Sequence, residues 1–154
     1  MLGFSFTPFP KLDTERLQLR QITGEDENDL FLLRSDERVM RFLDRPMARS
    51  NEDAAELIQK INQSLQTNDG ITWGISLKND PVLIGTIGYW RIIKEHYRAE
   101  IGYMLRPAYH GKGFMQEAMT AVLEYGFQTM QLHSVEANVN PKNEDSIKRH
   151  ITEK

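Results

Sequence analysis

The stretch EIGYMLRPAYHGKGFMQEA, Glu100–Ala118, decides the fold. It sets an apolar strand, a turn with Pro107, a His110-Gly111-Lys112-Gly113 loop and an amphipathic helix in immediate succession. That order makes an anion cradle. The first N–H groups of a helix have no intrahelical acceptor, and the helix dipole favours negative charge beside them. Glycines at 111 and 113 let a phosphate approach the main chain and permit backbone angles that other residues resist. A pyrophosphate-bearing cofactor is the functional reading; a tight strand-to-helix turn that uses glycine for geometry alone is the bland one.

Two familiar phosphate loops do not fit. A Walker loop needs a longer glycine-bounded arch and a hydroxyl after the lysine, where this chain has Gly113. A dinucleotide fingerprint needs G-x-G-x-x-G, where this chain continues Met115-Gln116. Another pyrophosphate carrier, such as coenzyme A, fits better.

Around this unit the pattern alternates between the two structural periods. Leu17 and Leu19 alternate with Gln18 and Arg20 as in a half-buried strand. Residues 25–34 and 37–42 read as two short helices with acidic first turns. Residues 50–66 form a longer helix, with Ser50 as cap and Ala54, Leu57, Ile58, Ile61 and Leu65 as its buried stripe. Strands are predicted at 71–78, 82–93, 99–105 and 134–139. Gly85 and Gly88 point to a bulge or close neighbour, with sheet curvature the favoured account. The helix from Lys112 to Met130 carries Met115, Ala118, Met119, Val122 and Tyr125 on one face, a packing stripe rather than a cofactor box. Asn143 is expected to open a last helical segment.

Composition narrows the classes. A chain of 154 residues is one domain's worth, and no linker, repeat or low-complexity tract divides residues 1–154. The net charge of −3 argues against a broad nucleic-acid footprint. There are no cysteines, hence no disulfide, thiolate nucleophile or Cys-based zinc site. The four histidines are scattered without metal-ligand spacing, so no metal is expected. Neither a signal segment nor a run of about 20 apolar residues is present. A cytoplasmic location without membrane association is the default expectation.

The Glu100–Ala118 unit resembles the acetyl-CoA-binding motif of the GNAT N-acetyltransferase superfamily, whose loop reads Q/R-x-x-G-x-G/A. His110 stands in the Q/R place, Gly113 in that of the first glycine and Met115 in that of the final small residue. A bulkier residue with G-K-G resembles the branch of ribosomal-protein N-terminal acetyltransferases. Thr14-Glu15-Arg16-Leu17-Gln18-Leu19-Arg20, Ala99-Glu100-Ile101-Gly102-Tyr103 and Asn143-x-x-Ser146 match that branch in order, from about Leu12 to Ile147. The resemblance implies an α/β fold of the α+β kind, a mixed, mostly antiparallel central sheet flanked by helices.

The resemblance also implies a chemistry, acetyl transfer from acetyl-CoA to a primary amine by direct attack on the thioester. His110, Gly111, Lys112, Gly113, Phe114 and Met115 would hold the pyrophosphate. Main-chain groups of Tyr103, Met104 and Leu105 would meet the pantetheine arm, and an amide near Met104 or Leu105 would polarise the thioester carbonyl, an effect worth roughly 3–4 kcal/mol. Asn143 and Ser146 read equally as helix caps or cofactor contacts, and the resemblance favours contact. Lys112, Lys142 and Arg149 could meet the ribose phosphate, though solvated surface charge is the plainer reading. Arg16 and Glu15 are expected to secure the first strand.

Glu100 is the candidate general base; a surface carboxylate or an amine anchor is the alternative. His96 and Tyr97 are weaker candidates. Deprotonating a lysine, with a pKa near ~10.4, costs roughly 3–4 kcal/mol more than an α-amine at about 7.7–8.0. That favours a peptide N-terminus or a low-pKa small amine, and leaves a small-molecule acceptor open. A catalytically weak coenzyme A-binding or assembly protein is the reading from another class. The C-terminal end, Lys148 to Lys154, departs from the resemblance. The last two strands are expected to be lacking, so that the sheet stops at residues 134–139 with an exposed edge and the domain is C-terminally incomplete. A partner subunit, hence a homo-oligomer, is one way of completing such a sheet.

Overall fold

Leu17 and Leu19 are fully buried while Gln18 and Arg20 are not, so the first alternating segment behaves as its period requires. The computed structural model describes residues 4–41, 46–137 and the backbone of 149–152. Seven strands form one sheet in chain order: β1 (Leu12–Asp13), β2 (Leu17–Gln21), β3 (Ile71–Leu77), β4 (Gly85–Ile93), β5 (Arg98–Leu105), β6 (Ser134–Ala137) and β7 (Arg149–Thr152). All neighbours are antiparallel except β5 and β6, which run parallel. A parallel step needs a crossover, and the segment carrying helix α4 (Phe114–Glu124) supplies it.

Helices cover both faces. On one side α4 packs over Trp73, Ile87, Tyr89 and Ile101 through Ala118 and Val122. On the other, α1 (Glu27–Ser35) and α3 (Asn51–Gln66) enclose Ile22, Leu30, Leu33, Ala54, Ile58 and Leu83, with the short α2 (Glu37–Met40) following α1. Ser50 caps α3 as its sequence position requires, its hydroxyl accepting from the Asp53 amide. The mixed, mostly antiparallel sheet flanked by helices is the expected architecture.

Three details differ from the sequence reading. The sheet does not stop at β6, because β7 pairs along it from Ala137↔Arg149 to Ser134↔Thr152. The charged residues of that segment hide two β-branched ones, Ile151 and Thr152. Gly85 and Gly88 serve close approach: a Cβ on Gly88 would lie 2.1 Å from the Ile71 carbonyl oxygen, and one on Gly85 2.4 Å from that of Met104. The bulge falls later, between Tyr89 and Arg91. Finally, α4 is shorter than 112–130. After Glu124 it widens into a π-helical turn, Tyr125–Thr129. The Tyr89 hydroxyl donates to the Val122 carbonyl at 2.7 Å and sits where a Cβ on residue 126 would be, so only glycine fits there.

Candidate active site

β5 ends at Leu105, and a 3-10 turn at Pro107–Tyr109 redirects the chain. Gly111 (φ 74°) and Gly113 (φ 79°) then take left-handed backbone angles. The first intrahelical bond of α4 runs from the Glu117 amide to the Gly113 carbonyl, 3.1 Å. The amides of Phe114, Met115 and Gln116 precede it and so lack an intrahelical acceptor. Gly113, as the cap, has no side chain to satisfy them. A Cβ on Gly111 would meet nothing within 4 Å, so the mouth of the loop is open. His110, in the Q/R place of the motif, is exposed but tied back. Its Nε2 lies 2.8 Å from the Leu105 carbonyl and ties the loop to the end of β5.

The loop is braced from the turn between β1 and β2. Arg16 donates from Nε to Glu117 (2.8 Å) and from Nη1 to the Lys112 carbonyl (3.0 Å), and its guanidinium lies 4.3 Å from the centroid of the Phe114 ring. Glu117 also accepts from the Arg16 amide at 2.9 Å and from the Thr14 hydroxyl. Partial burial pushes the Glu117 carboxyl up, but the hydrogen bonds from Thr14 and Arg16 and the Arg16 charge outweigh it. They hold the group below the usual carboxylate range. Phe114 and Met115 are half-buried and pack against the core, while Lys112 is exposed.

Strand parity decides which β5 groups face a cofactor. The Arg106 amide bonds the Ile84 carbonyl, so in the β4–β5 ladder Met104 and Gly102 direct their main-chain groups toward β4. Tyr103 and Leu105 direct theirs to the β6 side. Pairing with β6 ends at Ile101↔Ala137 among the described residues. The Met104 amide, one of two predicted polarisers, belongs to the β4 ladder, and its side chain packs against the α1–α3 cluster.

Glu100 sits nearer the start of β5, opposite Glu136 of β6. Arg91 approaches its carboxylate at 3.3 Å; the Arg91 side chain is 59% exposed and that of Glu100 13%. The bulge in β4 brings Arg91 opposite Glu100 and leaves Trp90, 45% exposed, over Gly102, where a Cβ would lie 3.3 Å from the indole Cδ1. Tyr97, left-handed at φ 52°, stacks on His133 with 4.5 Å between centroids, beside an exposed His96. Asn143, Ser146 and Lys142 lie outside the described residues, and of Arg149 only the backbone is described. Sequence reading missed Glu117, Arg91 and Trp90. A signal existed only for Glu117, four residues after Gly113 in a helix first turn.

No group of three or more His, Asp or Glu side chains among the described residues could hold a metal ion. No helix among them is long and apolar enough to cross a membrane. Residues 16–151 match the acetyltransferase (GNAT) domain, a span that includes Arg16, Glu117, β5 and the glycine loop. The chain belongs to this family. Among curated relatives, the uncharacterised N-acetyltransferase YoaA of Bacillus subtilis is 39% identical over 138 residues, 90% of this chain and 78% of the relative. The ribosomal protein uS5-alanine N-acetyltransferase of Escherichia coli is 28% identical over 87 residues, 56% of this chain and 45% of that one. A solved structure of RimL, a ribosomal L7/L12 α-N-protein acetyltransferase in complex with coenzyme A, shares the fold. Its TM-score is 0.79 at 18% identity, covering 88% of this chain and 78% of that one. As a GNAT acetyltransferase, this chain resembles the ribosomal-protein N-terminal branch.

Proposed function

We propose that this GNAT acetyltransferase uses acetyl-CoA to acetylate a primary amine, in the first place the α-amine of a protein or peptide. The observation that carries this is the union of three parts on one strand–loop–helix unit: a carboxylate at Glu100, the β6-side Leu105 amide at the end of β5 and the helix-start amides behind Gly111 and Gly113. The residues fit a coenzyme A thioester, which would supply the activated acetyl group. Positive-φ glycines and helix-start amides suit a diphosphate. Main-chain groups of Tyr103 and Leu105 suit the amides of a pantetheine arm, and the Leu105 N–H suits a developing oxyanion. The complex of RimL with coenzyme A supports the same reading.

In transfer, the amine nitrogen bonds the acetyl carbon, the C–S bond breaks and the thiolate leaves. Glu100, directly or through one water, takes the proton that the amine gives up. The acceptor's α-amine character rests on its lower pKa and on the ribosomal-protein relative. Calorimetric titration with acetyl-CoA, followed by thiol release over a panel of peptides, lysine side chains and small amines, tests the proposal. Binding with turnover on α-amino peptides is the expected result. Turnover confined to small amines would replace the acceptor class, and absence of binding to either acetyl-CoA or coenzyme A would overturn the whole reading.

A further inference from the structure

The Arg16 brace holds more donors than the fold consumes. A guanidinium carries five N–H groups. One, on Nε, goes to Glu117 and one, on Nη1, to the Lys112 carbonyl. The remaining three have no acceptor among the described residues. Nη2 lies 3.4 Å from the point where a Cβ on Gly113 would stand, at the rim of the amides that open α4. Lys112, the cation inside the loop, is exposed and gives the cradle only its carbonyl, to Arg16. Glu117, a negative charge in the same helix turn, would repel a diphosphate were Arg16 not paired with it.

We infer that Arg16, brought from the turn before β2 across about one hundred residues of chain, is a diphosphate-binding residue of this site as well as the clamp that shapes its loop. Nη2 faces the anion while Nε and Nη1 fix the fork, and stacking on Phe114 keeps the plane from rotating. Gly113 contributes by having no side chain between the fork and the amides. The inference rests on the acetyl-CoA reading and names a ligand for one part of it.

The test compares two thioesters, acetyl-CoA and S-acetylpantetheine, which lacks the diphosphate, in the wild type, Arg16→Ala, Arg16→Lys, Glu117→Gln and Arg16→Ala/Glu117→Gln. One charge-assisted bond lost predicts a fall in kcat/KM for acetyl-CoA of roughly 10- to 100-fold in Arg16→Ala. The loss for S-acetylpantetheine is much smaller. Arg16→Lys recovers part of the loss, because charge survives without the fork. The double variant is better than Arg16→Ala alone, because the unpaired carboxylate is gone. Comparable losses on both thioesters would show a general structural role, and an acetyl-CoA loss in Glu117→Gln as large as in Arg16→Ala would show a loop-shaping role only, because that variant breaks the clamp and spares the guanidinium; either result overturns the inference, as would unchanged kinetics of Arg16→Ala with acetyl-CoA. If Arg16→Ala does not fold, the same ratio measured in Arg16→Lys decides. A wild type inactive on both thioesters would instead sink the acetyl-CoA reading itself.

Discussion

The two ends of β5 are built differently. Its C-terminal end, running into the glycine loop, is tied down by bonds that cross the chain: Arg16 and Thr14 to Glu117, Arg16 to Lys112 and His110 to Leu105. Its N-terminal end, where Glu100 sits, is met by an Arg91 that is mostly in water and 3.3 Å away. Close by, an exposed Trp90 rests on Gly102, and Tyr97 stacks on His133. Under the acetyl-CoA proposal, the first end would be preorganised for an invariant diphosphate, whose recognition gains from fixed donors. The other presents adjustable groups, which under the same proposal would suit an end that accepts an amine.

That contrast can be broken in order of expected effect. The largest follows from Glu100→Gln. Loss of a general base predicts a kcat lower by roughly 10²- to 10⁴-fold with calorimetric coenzyme A affinity unchanged. Full rate across pH in that variant would remove Glu100 from the chemistry and make the N-terminal end a docking surface alone. Next comes Gly113→Ala, where φ is 79° and the added methyl meets Arg16. A left-handed alanine costs about 1–2 kcal/mol, so acetyl-CoA KM rises by roughly tenfold while kcat changes little. A kcat loss with constant KM would mean that the loop positions the thioester rather than the diphosphate.

A third test concerns the brace itself. Because the Glu117 carboxyl is held below its ordinary value, its stabilisation is present above a pH of about 4.3 and is lost as pH falls through the lowered value. Glu117→Gln should lower stability at neutral pH by about 1–2 kcal/mol and flatten the acid limb of the stability curve. Chemical denaturation between neutral pH and the acid transition reads both, and parallel acid limbs in the two proteins would contradict it. Arg91→Ala is the smallest. An exposed ion pair is worth under about 1 kcal/mol, so stability and coenzyme A affinity stay close to wild type. A large stability loss would show that the N-terminal end is as firmly built as the other.

Local patterns were legible where the chain itself sets them. Ser50 caps α3 because a hydroxyl before an apolar stripe has little else to do. The glycines of the loop announce themselves because positive φ is costly for other residues. What could not be read depends on residues distant in sequence. Nothing around Arg16 reveals that its partner is Glu117, and the π-helical turn arises because Tyr89 reaches the Val122 carbonyl from another strand. Parity along β5, which separates Leu105 from Met104, required the register with β4. The β4 bulge that leaves Trp90 beside the Glu100 face has the same origin.

The chain's two tryptophans fall on opposite sides of the solvent boundary. Trp73 is wholly enclosed, its indole N–H donated to the Pro10 carbonyl at 2.7 Å and its ring edge-on to Tyr89 and Tyr125. Trp90, 45% exposed, lies over Gly102 on the strand beside Glu100. The protein thus carries two spectroscopic probes of different colour. The enclosed one is expected to emit to the blue, beyond the reach of aqueous iodide, and to report unfolding; the exposed one is expected to emit to the red, to be quenched, and to report a ligand that settles beside Glu100. Acceptor binding can be followed in the unlabelled chain through the second while the first certifies that the fold is intact.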